Sequence, residues 1–245
     1  MAFTAYIICA TPRSGSTMLC DLLTASRVAG QPHSYLRSQD ISYWAGLWGV
    51  GEPATAANSV FNQAYLTAMI RAGTADTGVF GLRLMWQSVG EATERFNMTL
   101  GGEADLANRF EQAFGSTLFI HLSRRDKVAQ AASLVRATQT GLWHMAADGS
   151  ERERTAPARV PVFDADQITK ARDALATDDA GWSSFFEQCG IQPLRLTYEK
   201  LADDPQATLA TILAALGHDR AIAKTVVPQT AKMADATTTE WLKRI

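Results

Sequence analysis

The chain has 245 residues, 47% hydrophobic and 20% charged, with a formal net charge of −2 at pH 7. This length and composition predict one globular domain spanning 1–245, and the near-neutral charge argues against a general nucleic-acid or anionic-membrane surface. We found no apolar run of the roughly 20 residues that a membrane span needs, and no secretory signal at the start. The three cysteines are few and unpatterned, as is typical of reduced thiols. We therefore expect a cytoplasmic protein with no nucleic-acid partner and no membrane span.

The first predicted strand, Ala5–Ala10, runs into a small-residue loop that reads Thr-Pro-Arg-Ser-Gly-Ser-Thr from 11 to 17. An apolar-periodic helix follows at once, so backbone N–H groups and the helix dipole converge on one point and predict an anion site. Gly15 lets the backbone approach a ligand, and the hydroxyls of Ser14, Ser16 and Thr17 add donors. The alternative is a polar turn that holds no ligand.

Three known kinds of phosphate loop do not fit this segment. A Walker A motif cannot be aligned with it, and a dinucleotide fingerprint needs more than its one glycine. A phosphatase loop needs five residues between cysteine and arginine, whereas Cys9 lies only four positions before Arg13. What remains is a cradle for phosphate or sulfate that carries an arginine.

Further strands are predicted at Val79–Leu84, Leu118–Ser123 and Pro193–Tyr198, and helical periodicity lies between them. The helical segments are near 58–72, 87–98, 103–114, 126–140, 164–189 and 205–216. Strands that alternate with helices predict an α/β fold with a mostly parallel central sheet flanked by helices. Two stretches, 30–57 and 141–161, lack this periodicity, and we expect the second to be an exposed loop.

Arginines accompany three of these strands. Arg13 follows the first, Arg83 lies within or near the end of the second, and Arg124 follows the third. Because ligands of open α/β sheets bind beyond the carboxyl ends of the strands, these side chains are expected at one rim. No aspartate stands where a phosphoryl-transfer enzyme would hold Mg²⁺. The pattern predicts a metal-free site for a multiply charged anion.

The residues together resemble one family. The motifs are Arg13-Ser-Gly-Ser-Thr17, Gly30-x-Pro32, Leu84-Met-Trp86, Arg124-x-Asp126, Gln130-Ala131 with Ser133, Arg136-Ala137-x-Gln139-Thr140, Tyr198-Glu199 and Ala234-Asp235 with Glu240-Trp241 and Arg244. In this order they resemble the trehalose 2-sulfotransferase family of sulfotransferases that use 3′-phosphoadenosine 5′-phosphosulfate. The resemblance covers nearly the whole chain and implies a P-loop-like fold in a single sulfotransferase domain.

The resemblance also implies roles for particular residues. The 5′-phosphosulfate is expected at the loop residues Arg13, Ser14, Gly15, Ser16 and Thr17, and the 3′-phosphate at Arg124 and Ser133, with Arg125 as a secondary partner. Lys232 lies in the segment that closes over the nucleotide in the family, where an arginine is usual. The implied acceptor is a hydroxyl of a carbohydrate or glycolipid, contacted by Gln31, His33, Ser34, Tyr35, Arg83 and Trp86. The related enzymes suggest a homodimer.

The expected proton acceptor is missing. The family has a glutamate soon after the Gly-x-Pro turn, and this chain has Ser34 there. A serine hydroxyl cannot deprotonate a sugar at neutral pH, so His33 beside it is the predicted base, with Arg13 as the other catalytic residue. Two alternatives stay open: a nucleotide-binding homologue with weak or lost catalysis, and another P-loop-like small-molecule transferase, such as a kinase.

Overall fold

The computed structural model describes residues 3–51, 59–146, 148–227 and 236–245. These described residues form six strands: β1 (Ala5–Ala10), β2 (Phe80–Met85), β3 (Thr117–Ser123), β4 (Leu142–Met145), β5 (Glu151–Arg154) and β6 (Leu194–Thr197). Four of them form a parallel sheet in the order β2-β1-β3-β6, and β4 pairs with β5 as a separate antiparallel hairpin. The predicted parallel sheet is confirmed.

The described helices begin and end close to the predicted positions wherever the sequence indicated one. They are α1 (Ser16–Ser26), α2 (Ile41–Trp48), α3 (Ser59–Thr74), α4 (Val89–Leu100), α5 (Leu106–Phe114), α6 (Lys127–Thr140), α7 (Ala165–Gln188), α8 (Tyr198–Asp203), α9 (Pro205–Ala215) and α10 (Ala236–Leu242). Aspartate side chains cap α6, α7 and α9 by accepting a first-turn backbone N–H, as expected of helix starts. Within the described ranges, no helix is both long and apolar enough to cross a bilayer.

The central strand β1 is completely buried, because helices cover both faces of the sheet. Successive side chains of a strand point to opposite faces, and β1 accordingly divides its residues between two cores. Ile7 and Cys9 pack with α3, α4, α5 and α7, whereas Tyr6 and Ile8 pack with α1 and α9. The Tyr6 hydroxyl donates to the carbonyl of Ala29 at 2.6 Å, which satisfies its buried polar atom.

The sequence analysis did not predict the short helices α8 and α10, helix α2 or the hairpin β4–β5. Helix α2 lies inside the stretch that looked irregular, where Ile41 and Ala45 face the core and Trp44 stacks on Trp48 with ring centroids 5.5 Å apart. The hairpin β4–β5 lies where an exposed loop was predicted, so that expectation is wrong for these eight residues. Both elements are short and depend on packing against the rest of the chain, which local periodicity does not report.

Gly30 provides a test of this packing. Its φ is +67°, and a Cβ there would lie 2.3 Å from the carbonyl oxygen of Gly73 and 2.4 Å from that of Val79. We expect Gly30→Ala to destabilise the fold by about 3 kcal/mol or more, because backbone strain and a steric clash add. Gly49 has φ of +68°, and no atom lies within 4 Å of where a Cβ would be. Gly49→Ala should therefore lower the free energy of unfolding by only about 1 kcal/mol.

The measurement is the free energy of unfolding from urea denaturation of both variants. Equal losses for Gly30→Ala and Gly49→Ala would contradict the close packing at Gly30, because the two glycines share their backbone conformation and differ in their surroundings.

Candidate functional site

A cavity of about 650 Å³ lies at the carboxyl-end rim of the sheet. The loop after β1, the end of β2, the start of α6 and the hairpin β4–β5 all contribute to its wall. Its charged side chains are Arg13, Arg37, Arg83, Glu91, Arg124 and Glu153. The three arginines that the sequence placed at one rim therefore line one cavity.

The loop after β1 takes an unusual backbone course. Arg13, although not a glycine, has φ of +62°, and Gly15 has φ of +85°. A Cβ at Gly15 would lie 2.8 Å from the Tyr198 ring, so a side chain would be crowded as well as strained. Helix α1 begins at Ser16, and first-turn N–H groups have no acceptor within their own helix. Gly15, Ser16 and Thr17 line the cavity, whereas the fully buried Ser14 does not.

The Arg13 side chain connects this loop to two other elements. Its Nε donates to Ser133 Oγ on α6 at 3.0 Å, and its Nη1 donates to the carbonyl of Trp143 on β4 at 2.6 Å. Burial and the nearby guanidinium of Arg124 lower the pKa of Arg13 to about 10. Arg13 still carries its charge at neutral pH, and an anion placed between the two guanidiniums would relieve their repulsion.

Arg124 is positioned by two neighbours. Its guanidinium lies over the Tyr198 ring, 4.3 Å from the centroid, and its Nη1 donates to the carbonyl of Arg13 at 3.3 Å. Glu199, which follows Tyr198, accepts the backbone N–H groups of Arg125 and Asp126 at 3.0 and 3.3 Å. Helix α8 thereby holds the start of α6, and Arg124 and Ser133 both line the cavity. Burial lowers the pKa of Arg124.

Gln130 supports the loop from below. It is completely buried, and its side-chain amide donates to Thr11 Oγ1 at 2.9 Å and to the carbonyl of Pro12 at 2.6 Å. These bonds fix the backbone immediately before Arg13. The sequence analysis singled out the motif that contains Gln130. Its supporting role is visible only from the hydrogen bonds between α6 and the loop.

Arg83 lies in the middle of β2 rather than at its end, and its side chain still reaches the cavity. Its Nε donates to Ser34 Oγ and its Nη1 to Thr17 Oγ1, both at 2.8 Å. These bonds connect the predicted acceptor segment to the first turn of α1. Ser34, which stands in place of the family's glutamate, lines the cavity beside them.

The other residues predicted to contact the acceptor lie outside the cavity wall. Gln31 is exposed, and Tyr35 is buried with its hydroxyl donating to the Gln31 carbonyl at 2.6 Å. Trp86 packs edge-on against Trp182 of α7. The ring of His33 lies against Trp44, with centroids 5.2 Å apart.

His33 is separated from the cavity by its position. Burial and the Arg83 guanidinium lower its pKa to about 4, so it is neutral at pH 7, and it is not among the residues that line the cavity. Lys232, the remaining predicted nucleotide ligand, lies outside the described residues.

The hairpin supplies four cavity residues that the sequence reasoning missed: Trp143, His144, Met145 and Glu153. His144 Nε2 lies 3.0 Å from Thr17 Oγ1 and 3.5 Å from Glu153 Oε2. Burial and the guanidiniums of Arg13, Arg83 and Arg152 lower the pKa of His144 to about 3. The sequence predicts an exposed loop here, and nothing in its local pattern indicates that His144 enters a cavity. Among the residues described, no group of three or more His, Cys, Asp or Glu side chains is arranged to hold a metal ion.

Comparison with known proteins gives a consistent result. The model of the family described as Stf0 sulphotransferase matches residues 5–245. Two curated proteins named trehalose 2-sulfotransferase are each 28% identical to this chain, over 260 residues in Mycobacterium tuberculosis and 262 in Mycolicibacterium smegmatis. Each alignment covers 98% of this chain, with 93% and 94% of the respective relative.

A solved structure, the sulfotransferase domain of the olefin synthase from Synechococcus PCC 7002, has a similar fold. The match has a TM-score of 0.50 at 15% identity and covers 98% of this chain and 93% of that one. Together with the parallel sheet, it confirms the predicted P-loop-like α/β architecture.

Replacing Gln130 should loosen the loop. We expect Gln130→Ala to lower the free energy of unfolding by about 2–3 kcal/mol, because two buried hydrogen bonds are lost and their partners stay buried. The side chain of Gln139, on the same helix, accepts a hydrogen bond from the backbone N–H of Val162 and donates one to its carbonyl, and both hydrogen bonds are exposed. Gln139→Ala should therefore cost about 0.5 kcal/mol. Urea denaturation measures both, and a Gln130→Ala loss no larger than that of Gln139→Ala would contradict the bracing role.

His144 should make stability depend on pH. Its pKa is lower in the folded chain than the ordinary 6.5, so between about pH 6 and 4 the unfolded chain binds more protons and stability falls as the pH falls. His144→Gln should reduce this slope by up to about 1.4 kcal/mol per pH unit. Urea denaturation across that range measures the slope, and an unchanged slope would contradict the burial of a neutral imidazole.

Proposed function

The chain belongs to the Stf0 sulphotransferase family, and we propose that it transfers the sulfuryl group of 3′-phosphoadenosine 5′-phosphosulfate to a hydroxyl of a carbohydrate or glycolipid. It is an enzyme, a sulfotransferase, and this membership favours sulfuryl transfer over the kinase alternative. The observation that carries the proposal is the cavity in which Arg13, Arg83, Arg124 and Ser133 meet.

The shape of the site supports a donor with two anionic ends. The loop residues Arg13 to Thr17 would take the 5′-phosphosulfate, and Arg124 with Ser133 would take the 3′-phosphate. Arg13 contacts Ser133 directly, so the two ends of the nucleotide site share one hydrogen-bonded unit. Charged guanidiniums and free first-turn N–H groups are the donors that such oxyanions require. Ser14 is buried outside the cavity wall, so we propose that it supports the loop and does not contact the donor directly.

The chemistry needs positive charge where the leaving phosphate develops negative charge. Arg13 and the backbone N–H groups of the loop would stabilise the bridging and leaving oxygens during transfer. Less charge moves than in γ-phosphoryl transfer, so we expect no metal ion to be required. Catalysis should then be equally fast with EDTA and with Mg²⁺.

The acceptor side of the proposal rests on polar side chains and on the relatives. Beyond Thr17 the wall of the cavity continues through Ser34, Arg37, Gln87 and Glu91, which can hydrogen-bond a polyhydroxyl molecule. The curated relatives are named trehalose 2-sulfotransferase, and their name supports a saccharide. Ser34 in place of the family's glutamate is a reason to test other sugars and glycolipids besides trehalose.

Other features stay predictions. The family model extends over 5–245, which supports a single sulfotransferase domain across 1–245. The cysteines Cys9, Cys20 and Cys189 are free thiols, which supports a reducing, cytoplasmic location. A homodimer is expected from the related enzymes.

In the decisive experiment, the protein is incubated with ³⁵S-labelled 3′-phosphoadenosine 5′-phosphosulfate. The acceptors are the small molecules and lipids extracted from the cells that produce the protein. We expect label to appear in a saccharide or glycolipid, and calorimetry to show binding of the donor and of adenosine 3′,5′-bisphosphate. No heat with either nucleotide would overturn the donor assignment. Tight nucleotide binding without any labelled product would favour a homologue that has lost catalysis, and Mg²⁺-dependent ATP turnover would favour a kinase.

Arg124→Ala tests the 3′-phosphate end. We expect it to weaken binding of adenosine 3′,5′-bisphosphate by roughly 10- to 100-fold, since a charge-assisted hydrogen bond is lost, and to change binding of adenosine 5′-phosphate much less. Arg125→Ala is the matched control, because its exposed side chain lies outside the cavity wall. Calorimetry with both nucleotides gives the comparison. Equal losses for the two nucleotides would contradict the assignment of the 3′-phosphate to Arg124.

A further inference from the structure

We propose that His144 is the catalytic base that takes the proton of the acceptor hydroxyl, and that the carboxylate of Glu153 stabilises the imidazolium that forms. The inference rests on the proposed sulfuryl transfer and supplies the group left missing by Ser34. All four histidines of the chain are described, and His144 alone lines the cavity.

The pairing of the hairpin places the two side chains together. His144 of β4 and Glu153 of β5 are directly opposite in the antiparallel register. Side chains at opposite positions of such a pair lie on the same face and within contact distance. Nε2 of His144 lies 3.5 Å from Glu153 Oε2 and 3.0 Å from Thr17 Oγ1. The imidazole thus faces the residue that connects the anion loop to Arg83.

Contacts on both strands attach the hairpin to the loop after β1 and to α1. Arg13 donates to the carbonyl of Trp143, the residue before His144. On the other strand, Arg152 forms an ion pair with Asp21 of α1, and Arg152 Nη2 lies 2.8 Å from Asp21 Oδ1. A base must be held in a defined position relative to the reacting groups, and these contacts on both strands provide that constraint.

The charges around His144 make its basicity depend on bound nucleotide. Burial opposes its protonation most, and Arg13 from the loop, Arg83 from β2 and Arg152 from β5 add to this, so that the pKa is lowered to about 3. The carboxylate of Glu153, 3.5 Å from Nε2, favours protonation. A polyanionic donor beside Arg13 would compensate the guanidiniums and raise that pKa. His144 would then become an effective base when the donor is in place.

The acceptor hydroxyl replaces the Thr17 hydroxyl as the hydrogen-bond donor to Nε2 of His144. Its O–H bond then breaks and the proton goes to Nε2, while the acceptor oxygen forms a bond to sulfur. The bond between sulfur and the bridging phosphate oxygen breaks, and its electron pair leaves with adenosine 3′,5′-bisphosphate. Glu153 stabilises the imidazolium, which returns its proton to solvent after product release.

Five variants test the assignment: His144→Gln, Glu153→Gln, His33→Gln, Glu91→Gln and, as a matched control remote from the cavity wall, His218→Gln. The first assay measures transfer of ³⁵S from the labelled donor into the extract product in a single turnover. We expect His144→Gln to slow transfer by about 10²- to 10⁴-fold, the range of general-base catalysis, with the dissociation constant of adenosine 3′,5′-bisphosphate changed less than threefold. His218→Gln should match the unaltered protein in both measurements.

The second assay measures proton uptake when adenosine 3′,5′-bisphosphate binds, by calorimetry near pH 5 in buffers of different ionisation enthalpy. The unaltered protein should take up roughly one proton more than His144→Gln, because the nucleotide raises the pKa of His144. Glu153→Gln should retain nucleotide binding, slow transfer less than His144→Gln does and shift the acidic limb of the pH–rate profile.

Each remaining outcome is decisive. Normal transfer by His144→Gln, or a larger loss for His33→Gln or Glu91→Gln, would overturn the assignment. A transfer loss matched by an equal loss of nucleotide affinity would make His144 a binding residue. If the unaltered protein neither binds nucleotide nor labels a product, the proposed function itself fails, and the inference with it.

Discussion

Guanidinium groups held together at one rim of a parallel sheet are the constraint on which the rest of this structure depends. Bringing like charges together is unfavourable, and here the arginines are oriented largely by neutral partners. Arg83 donates to Ser34 and Thr17, and Arg124 lies over the ring of Tyr198. Because hydroxyls and an aromatic face orient a charge without cancelling it, the cavity stays positive and suits a polyanion.

Other parts of the fold keep this arrangement in place. Gln130 bonds the backbone before the loop, and Glu199 bonds the backbone at the start of α6. The positive φ of Arg13 shows that the loop is held in a sparsely populated conformation. Such a conformation persists only where surrounding hydrogen bonds over-determine it. The hydrogen bonds below the cavity therefore also fix the positions of the charged groups that line it.

The hairpin β4–β5 contacts the loop after β1 and the start of α1. The carbonyl of Trp143 accepts a hydrogen bond from Arg13, and His144 contacts Thr17. In the proposed mechanism, guanidiniums that oppose the protonation of His144 would be compensated by the bound donor, so the acceptor would be deprotonated only in the complex with donor. The charges proposed to hold the nucleotide would then also control the proton transfer.

Much of the architecture was determined by the sequence alone. Short apolar strands alternating with helices predicted the parallel sheet, and Gly15 with its neighbouring hydroxyls predicted the turn into α1, because local periodicity and backbone preference are written in consecutive residues. That the arginines after β1 and β3 would share a rim also followed, since parallel strands end at the same edge.

Only the tertiary structure decided which side chains face the cavity. Tyr35 and Trp86 turned into the core although their segments suggested substrate contact, and His144 entered the cavity from a segment without periodicity. Helix α2 and the hairpin β4–β5 are too short to produce a recognisable local pattern. The side chains of the hairpin are placed by contacts between residues more than 100 positions apart, such as Thr17 with His144, and no local pattern encodes a contact of that kind.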